Sequence, residues 1–481
     1  MFAATKPIDA ALTPRRVRLR NFKNFVCIFL ICLDLYYIYI LKIFVYFIFF
    51  IVDFVYNLRA HPLTLMKDYE FSYNVLVKVV KEGVPFNTAI HAVLSKPNKT
   101  LIDPNLKATL YALCGCVLRH YYIFKEVITR EYGELPVESF LLVALGLGNQ
   151  LFAKRVNKEK LGKYIVKNTG LLGAPVFISG FTDPKKIMPE DIKHGSNEYY
   201  SLRYNVPPWI VDMWNKTAGE LIAKKLFHAF TNRIDNLVRI NQCVISHDDF
   251  IEKYGKDYSP LQRGIALYTG STPIKKNRAY VEGDALRIPV SYKYMCDSME
   301  VSMSDSMAFY SCGTNHLLEE LFARFGPLYN LDVICGHSGH LLEINDVISK
   351  FGLSEVEVQE GDYTKIDELV TKPVHTFFVC PRSSFFLGLF ERADHFLRVK
   401  EESLPGIIET EYASLCAVSN KVEKGGNLVY FVTTFYKNEC HKLIHHFIKE
   451  HPEFELKEEK HFLPYDPYQT MFYFAHLIRK D

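Results

Sequence analysis

The chain has 481 residues, of which 49% are hydrophobic, 14% aromatic and 23% charged, and its formal net charge at pH 7 is +3. This composition excludes the disordered, collagen-like and disulfide-dense classes, and at roughly 150 residues per domain the length predicts about three domains. A net charge this small neither indicates nor excludes a nucleic-acid partner. The 11 cysteines include no C-x-x-C pair, which favours free thiols in a reducing compartment over a zinc ribbon or a disulfide framework.

Residues 1–65 contain an apolar run, 25–56, built almost wholly of Phe, Ile, Leu, Tyr and Val. It is long enough to cross a bilayer at about 20 residues per helix, and five cations between Arg15 and Lys23 precede it, as the positive-inside rule expects of a cytoplasmic N-terminus. One interpretation is a membrane anchor that carries a cytoplasmic body. The alternative is a mis-called start, with translation beginning at Met66 and a cytoplasmic protein, because AT-rich untranslated sequence encodes the same residue types.

Residues 66–190 have the pattern of an all-helical bundle, because apolar residues recur there at spacings of three and four. Between 66 and 170 there are 15 basic and 9 acidic residues, a local net charge of +6. A basic bundle can hold phosphates, and Lys107, Arg119 and Lys125 are the candidates for that contact. The alternative for the same residues is a solvated helix face.

Two segments resemble a known family. The stretches "VLVKVVKEGVPFNTAIHAVL" and "NLKATLYALCGCVLRHYYIFKEVI" look like a NusB-like RNA-binding domain, with Lys107, Leu110, Tyr111 and Leu113 in the place of its "R-x-x-L-Y-x-L" pattern. "RYNVPPWIVDMWNKTAGE" (203–220) and "NLVRIN" (236–241) are similar to the segment that follows this domain in the RsmB/Sun branch of the RsmB/NOP family.

That family comprises S-adenosylmethionine-dependent RNA cytosine-C5 methyltransferases, and the branch acts on small-subunit rRNA. The resemblance therefore implies S-adenosylmethionine as cofactor and rRNA as partner, with the RNA bound through Lys107, Arg119 and Lys125 of the NusB-like domain. It also implies a linker and pre-methyltransferase subdomain at 191–300 and a methyltransferase domain at 301–481. The stretch after Asn241 matches the family poorly and has no assignment.

Residues 301–481 support that fold independently, because short apolar strands alternate with helical stretches from Met307 to Leu477. Such alternation predicts a doubly wound, mainly parallel sheet whose ligand crevice lies at the carboxyl ends of the strands. The predicted class is α + α/β, a helical bundle followed by a Rossmann-like domain. "VEVQEGDYTKI" resembles the family's third strand, where Asp362 would reach the adenine, and "VEKGGNLVY" resembles its "K-P-G-G-x-L-V-Y" turn.

The chain departs from the family at the residues that carry the chemistry. Cytosine-C5 methylation needs a thiolate nucleophile and a second cysteine that helps to resolve the adduct. The first cysteine position falls on Thr433 in "LVYFVTTF", and the second falls on Arg382 in "FFVCPRSSF". Cys380 lies two residues before the second position, so a one-residue misalignment restores neither thiol.

The cofactor motifs are eroded as well. The family's "D-x-C-A-A-P-G-G-K-T" loop has small residues that let the backbone approach S-adenosylmethionine. Only Cys312 and Gly313 of that pattern remain here, in a stretch that is several residues shorter. The acid that holds the ribose falls near Cys335 or Gly336, because Asp332 comes too early in the strand. Gly313 and Asp362 are therefore the candidate cofactor residues, and the losses around them argue against tight binding of the cofactor.

No metal site is predicted. His337 and His340 lack a third ligand, and His441 and His445, one helical turn apart, lack an acidic partner in an H-E-x-x-H frame. Both pairs are interpreted as surface residues.

Three functions compete at this point. The first is a catalytically degenerate relative that keeps the fold as an RNA-binding or assembly scaffold, and the second is an active rRNA methyltransferase with a non-standard nucleophile. The third is a membrane-anchored interaction protein, which depends on 25–56 alone. Both cysteines, the first cofactor loop and the ribose acid are lost together, which favours the first function. Residues 301–481 also carry 17 basic and 27 acidic residues, a net charge of −10, and this acidity favours the same function because a domain that binds RNA usually carries positive charge.

Overall fold

The computed structural model describes residues 68–95, 104–230, 236–313, 315–326, 328, 330–351, 356–465 and 470–480. The chain divides into two compact units, 1–72 and 73–481, and the second contains both sheets. The apolar run at 25–56, predicted as a possible anchor, lies outside the described residues. Among those residues no single helix has the length and apolarity to span a bilayer; one sharply bent pair, Tyr121–Tyr132 with Val137–Ala153, meets the criteria jointly.

The second unit begins with helices, as the periodicity predicts. After the helical residues 73–80 come α1 (Phe86–Leu94), α2 (Pro104–Arg119), α3 (Tyr121–Tyr132), α4 (Val137–Gly148), α5 (Lys158–Thr169), α6 (Ala174–Gly180), α7 (Asn197–Tyr204), α8 (Pro208–Ala218) and α9 (Glu220–Ala229). Helix α4 is buried along its whole length from Phe140 to Gly148, because its sequence is apolar all round. Gly146 allows close packing against α6, since a Cβ there would lie 2.4 Å from the Cδ1 atom of Ile178 and would force that side chain to move.

The stretch that matches no family motif forms a small antiparallel sheet. Its strands are β1 (Leu237–Ile240), β2 (Tyr258–Gln262), β3 (Ile265–Tyr268) and β4 (Ala285–Leu286), in the order β2-β3-β1-β4, with α10 (His247–Tyr254), α11 (Arg278–Val281) and α12 (Val290–Asp297) around it. Val238, Ile240, Ala266 and Phe250 form its core.

A seven-stranded sheet follows, in the order β10-β11-β9-β8-β5-β6-β7. The strands are β5 (Met307–Ser311), β6 (Leu331–Cys335), β7 (Val358–Glu360), β8 (Val374–Cys380), β9 (Val422–Val432), β10 (Phe454–Phe462) and β11 (Phe472–Arg479). Strands β5 to β9 pair in parallel, and β11 is antiparallel to both of its neighbours. The helices between them are α13 (His316–Phe325), α14 (Leu341–Lys350), α15 (Ile366–Leu369), α16 (Gly388–Glu391), α17 (Leu404–Ser419) and α18 (His441–Glu450).

Helices cover both faces of this sheet. Leu317 and Ile344 pack on one face, while Leu415 and Phe447 pack on the other. The predicted class, a helical N-terminal region followed by a Rossmann-like sheet, is confirmed. Strand β9 starts six residues earlier than the Leu428 predicted from the apolar run, because "EKGG" is accommodated by a register shift against β8.

Candidate functional site

A cleft of about 290 Å³ lies at the carboxyl ends of β5, β8 and β9. Its walls include Gly313 after β5, Arg382 after β8 and Thr433 after β9. Parallel strands end at one edge of the sheet, so the fold brings these three predicted positions together. A Cβ built on Gly313 meets no atom within 4 Å, because this part of the loop faces open space.

Arg382 and Thr433 do not provide a nucleophile of the kind that cytosine chemistry needs. Arg382 is exposed, and its guanidinium is a cation that offers only hydrogen-bond donors. Thr433 is half-buried, its carbonyl accepts a hydrogen bond from the amide of Leu387 at 3.2 Å, and its hydroxyl has no hydrogen bond to a base in the described part of the chain.

Two thiols line the cleft, and both are held in the protonated form. Burial raises the pKa of Cys312, whose Sγ donates a hydrogen bond to the Tyr310 hydroxyl at 3.1 Å. Cys380 is 5% exposed, and burial raises the pKa of its thiol well above the usual value. Because the thiolate is the reactive species, neither cysteine is activated at neutral pH.

The position of the family's ribose acid is closed by side chains. A Cβ on Gly336 would lie 2.5 Å from the Sγ atom of Cys312 and 2.8 Å from the Tyr310 ring, so these groups fill the space between the ends of β5 and β6. Asp362 is exposed and does not line the cleft. Its Oδ1 atom accepts a hydrogen bond from the Thr364 amide at 2.9 Å, so the carboxylate caps a local turn.

Two carboxyl groups are buried beneath the cleft. Glu411 and Glu439 are both 0% exposed, and Glu439 accepts a hydrogen bond from the amide of Ser384 at 2.7 Å. Burial raises the pKa of Glu439 to about 6 and, reinforced by the neighbouring Glu439 charge, raises the pKa of Glu411 well above its usual range. Burial and the neighbouring Glu439 carboxylate therefore favour the protonated form of Glu411.

Glu411→Gln is expected to stabilise the protein at pH 7.5 and to change little at pH 4.5. Because the pKa of Glu411 is raised in the folded state, its protonated form contributes fully to the free energy of unfolding below pH ~4.5, the pKa of the unfolded state. That contribution declines as pH rises toward the folded-state pKa. Removing the carboxyl group abolishes that decline, with a gain of about 1–3 kcal/mol at pH 7.5. Urea unfolding at both pH values measures the gain, with Glu409→Gln, an exposed residue of the same helix, as control. Equal pH dependence in Glu411→Gln and the unaltered chain would show that Glu411 is ionised.

Arg382 also borders a second opening of about 560 Å³, which we name the arginine groove. Four exposed cations line it: Arg382, Arg392, Arg398 and Lys400. The Arg392 guanidinium lies 4.8 Å from the centre of the Phe385 ring, and Phe385 has a left-handed backbone with φ +52°. Of the four cations only Arg398 has a recorded ion pair among the described residues, with Asp394 at 3.1 Å.

His395 lies under the same groove and is 6% exposed. Neither ring nitrogen makes a hydrogen bond of good geometry to a described residue, although the Ser384 backbone is close enough to favour a protonated ring. Burial outweighs that effect and lowers the pKa of His395 to about 4. A neutral imidazole with unused polar atoms therefore adjoins the four cations.

Sequence reasoning missed this groove, although the run "RADHFLRVK" (392–400) contains three of its cations. The net charge of −10 over residues 301–481 concealed them. Lys107, Arg119 and Lys125 are all exposed, on α2 and α3. Twelve residues of helix separate Lys107 from Arg119, roughly 18 Å along the axis, so these two do not form one compact cluster. Their role in RNA binding stays a prediction.

The four predicted surface histidines differ in their surroundings. His337 Nδ1 accepts a hydrogen bond from the Gly339 amide, and His340 lies beside Glu343. His441 and His445 have no acidic partner in an H-E-x-x-H frame, but Glu459 of β10 contacts both rings.

The sheet order, the helices on both faces and the cleft at the strand ends define a Rossmann-like methyltransferase fold. The chain matches no protein-family model. The crystal structure of PH0851 superposes with a TM-score of 0.63 over 85% of this chain and 98% of that one, and at 15% identity this likeness concerns the fold alone.

Two curated relatives are each 22% identical to this chain and carry the same name, "Probable ribosomal RNA small subunit methyltransferase B". The Bacillus subtilis (strain 168) protein aligns over 52% of this chain and 57% of its own length, and the Synechocystis protein over 69% and 77%. The chain thus spans just over half of the first relative. These relatives confirm the resemblance to RsmB/Sun-type methyltransferases.

Proposed function

We propose that this chain is an RsmB/Sun-type protein that has lost methyl transfer and binds RNA, ribosomal RNA in the first place, as a scaffold. One observation carries the proposal. The cleft that corresponds to the family's catalytic centre has Arg382 and Thr433 at the two cysteine positions. Its remaining thiols, the half-buried Cys312 and the buried Cys380, are protonated because burial raises both pKa values.

The cofactor site supports the same conclusion. S-adenosylmethionine needs an acid at the end of the second strand of the sheet to hold its ribose. Here β6 ends at Cys335 and continues into Gly336, against which Cys312 and Tyr310 pack directly. The residues present do not fit the cofactor, so no step of the proposed function uses it.

Two basic surfaces support RNA binding. The arginine groove places four cations around one opening beside the cleft. Each arginine there can donate two parallel hydrogen bonds to a phosphate group. The second surface lies on and before α5, where six exposed cations occur, Lys154, Arg155, Lys158, Lys160, Lys163 and Lys167. That helix belongs to the region that resembles a NusB-like domain, and the names of both curated relatives refer to ribosomal RNA.

Isothermal titration of the purified full-length chain with S-adenosylmethionine tests the proposal. We expect no heat of binding up to millimolar cofactor, because the ribose acid is absent and its space is filled. The Bacillus subtilis relative, titrated under the same conditions, is the positive control. Binding at micromolar affinity would overturn the proposed loss of the cofactor site and favour an active enzyme with a different nucleophile.

A further inference from the structure

Helix α18 and strand β10 bring three potential metal ligands together, and none of the three lines the cleft. His441 and His445 are one turn apart on the outer face of α18, while Leu443, Ile444 and Phe447 face the core. Glu459 projects from β10, the edge strand of the sheet order. Its Oε1 atom lies 2.7 Å from the Nδ1 atom of His441 and 3.6 Å from the Nε2 atom of His445.

The spacing of these atoms suits one divalent ion. Tetrahedral zinc with bonds of about 2.0–2.1 Å requires ligand atoms about 3.4 Å apart. The distances of 2.7 and 3.6 Å from Glu459 bracket that value, and all three ligand atoms lie within 4.8 Å of one another. The imidazole rings are also adjacent, with centroids 4.0 Å apart. Because both histidines are half-exposed, small side-chain rotations can close the remaining gap.

The neighbouring Tyr473 hydroxyl orients the Glu459 carboxylate. The buried Tyr473 hydroxyl donates to the other Glu459 oxygen, Oε2, at 2.6 Å, which fixes the direction of Oε1. His461, two residues along β10 on the same strand face, packs against the Tyr473 ring at 4.5 Å. Its Nε2 atom is buried and has no hydrogen-bond partner among the residues that the structure describes.

We infer that His441, His445 and Glu459 form a binding site for one borderline divalent transition-metal ion of the Zn²⁺ class, with Tyr473 holding the carboxylate in place. Two imidazole nitrogens and one carboxylate oxygen are a ligand set that zinc accepts, and hard cations such as Mg²⁺ prefer oxygen alone. The sequence alone predicted that His441 and His445 are surface residues with no metal, and the proposed site assigns them a metal ion instead. A bound ion would tie α18 to the edge strand.

Equilibrium dialysis of the full-length chain against ZnCl₂, after treatment with a chelator, tests this site. We expect one bound equivalent that the double variant His441→Ala/His445→Ala loses. Tyr473→Phe, which removes the support of Glu459, is expected to lower the zinc affinity at least about tenfold. His446→Ala is the matched control, because that exposed histidine of the same helix stacks on Tyr412 and lies outside the cluster.

Circular dichroism and the melting temperature without metal establish that each variant is folded. Loss of the zinc equivalent in a folded double variant, with retention in His446→Ala, supports the site. Absence of binding by the unaltered chain, or equal binding by the double variant, would overturn it. Neither result depends on RNA binding or on methyl transfer, so the proposed function and this site can fail separately.

Discussion

Replacing Arg239 with methionine is expected to lower the free energy of unfolding by about 3 kcal/mol. Arg239 of β1 is 2% exposed and its Nε atom donates to both carboxylate oxygens of Glu320, which is 0% exposed, at 3.1 and 2.9 Å. Its Nη1 atom also donates to the carbonyls of Ile240 and Gly264. The variant leaves a buried carboxylate whose remaining cation, Arg324, is 3.4 Å away.

Urea unfolding measures this loss, and two further variants identify its cause. Arg239→Met/Glu320→Leu removes both charges and is expected to recover most of the stability, because no unpaired charge remains. Arg278→Met breaks an exposed pair with Glu282 and should change the free energy of unfolding much less, because water screens that pair. A loss for Arg239→Met as small as that for Arg278→Met would contradict the assigned role of the pair in joining the small sheet to α13.

Removing two cations from the arginine groove is expected to weaken RNA binding by about tenfold or more at physiological salt. Arg382→Gln/Lys400→Gln is the preferred variant, because both side chains are exposed and neither has a recorded ion pair in the described ranges. If each cation contacts one phosphate, the slope of log affinity against log salt falls by about 2.

Filter binding of an rRNA fragment over a salt series measures both quantities. The control is Lys372→Gln/Lys424→Gln, which removes the same charge from exposed lysines near the amino ends of β8 and β9, at the opposite edge of the sheet. Equal losses of RNA affinity in the two double variants would indicate a nonspecific effect of net charge. The groove would then make no specific contact with the RNA. An unchanged affinity in the groove variant would leave the α5 surface as the binding site.

The methyltransferase-like sheet could be predicted closely because its strands are short, apolar and separated by helices. Strands β5 and β6 occur at the bounds expected from their apolar runs, since strands buried on both faces need continuous hydrophobic sequence. The small sheet was not predicted, because β2 is largely exposed and β4 has two residues, so neither shows a clear pattern.

The residues of the candidate site that follow parallel strands could be predicted from the sequence. The residues that meet through contacts between distant parts of the chain could not. Arg382, Thr433 and Gly313 follow parallel strands, and that topology alone brings them to one cleft. Glu459 meets His441 only because α18 packs beside β10, 18 residues further along the chain. The arginine groove likewise depends on the path of a loop after β8, which includes the left-handed Phe385.

Methyl transfer from labelled S-adenosylmethionine to rRNA, measured with the full-length chain in excess over RNA, tests the central claim most directly. Excess protein makes a single slow turnover visible, and the Bacillus subtilis relative verifies the substrate and the label. The loss of both cysteine positions and of the ribose acid predicts no incorporation above the protein-free blank, even where filter binding shows the RNA fully bound. Cytosine-C5 label that rises with time toward the amount of RNA present would contradict the claim and identify the chain as an active methyltransferase.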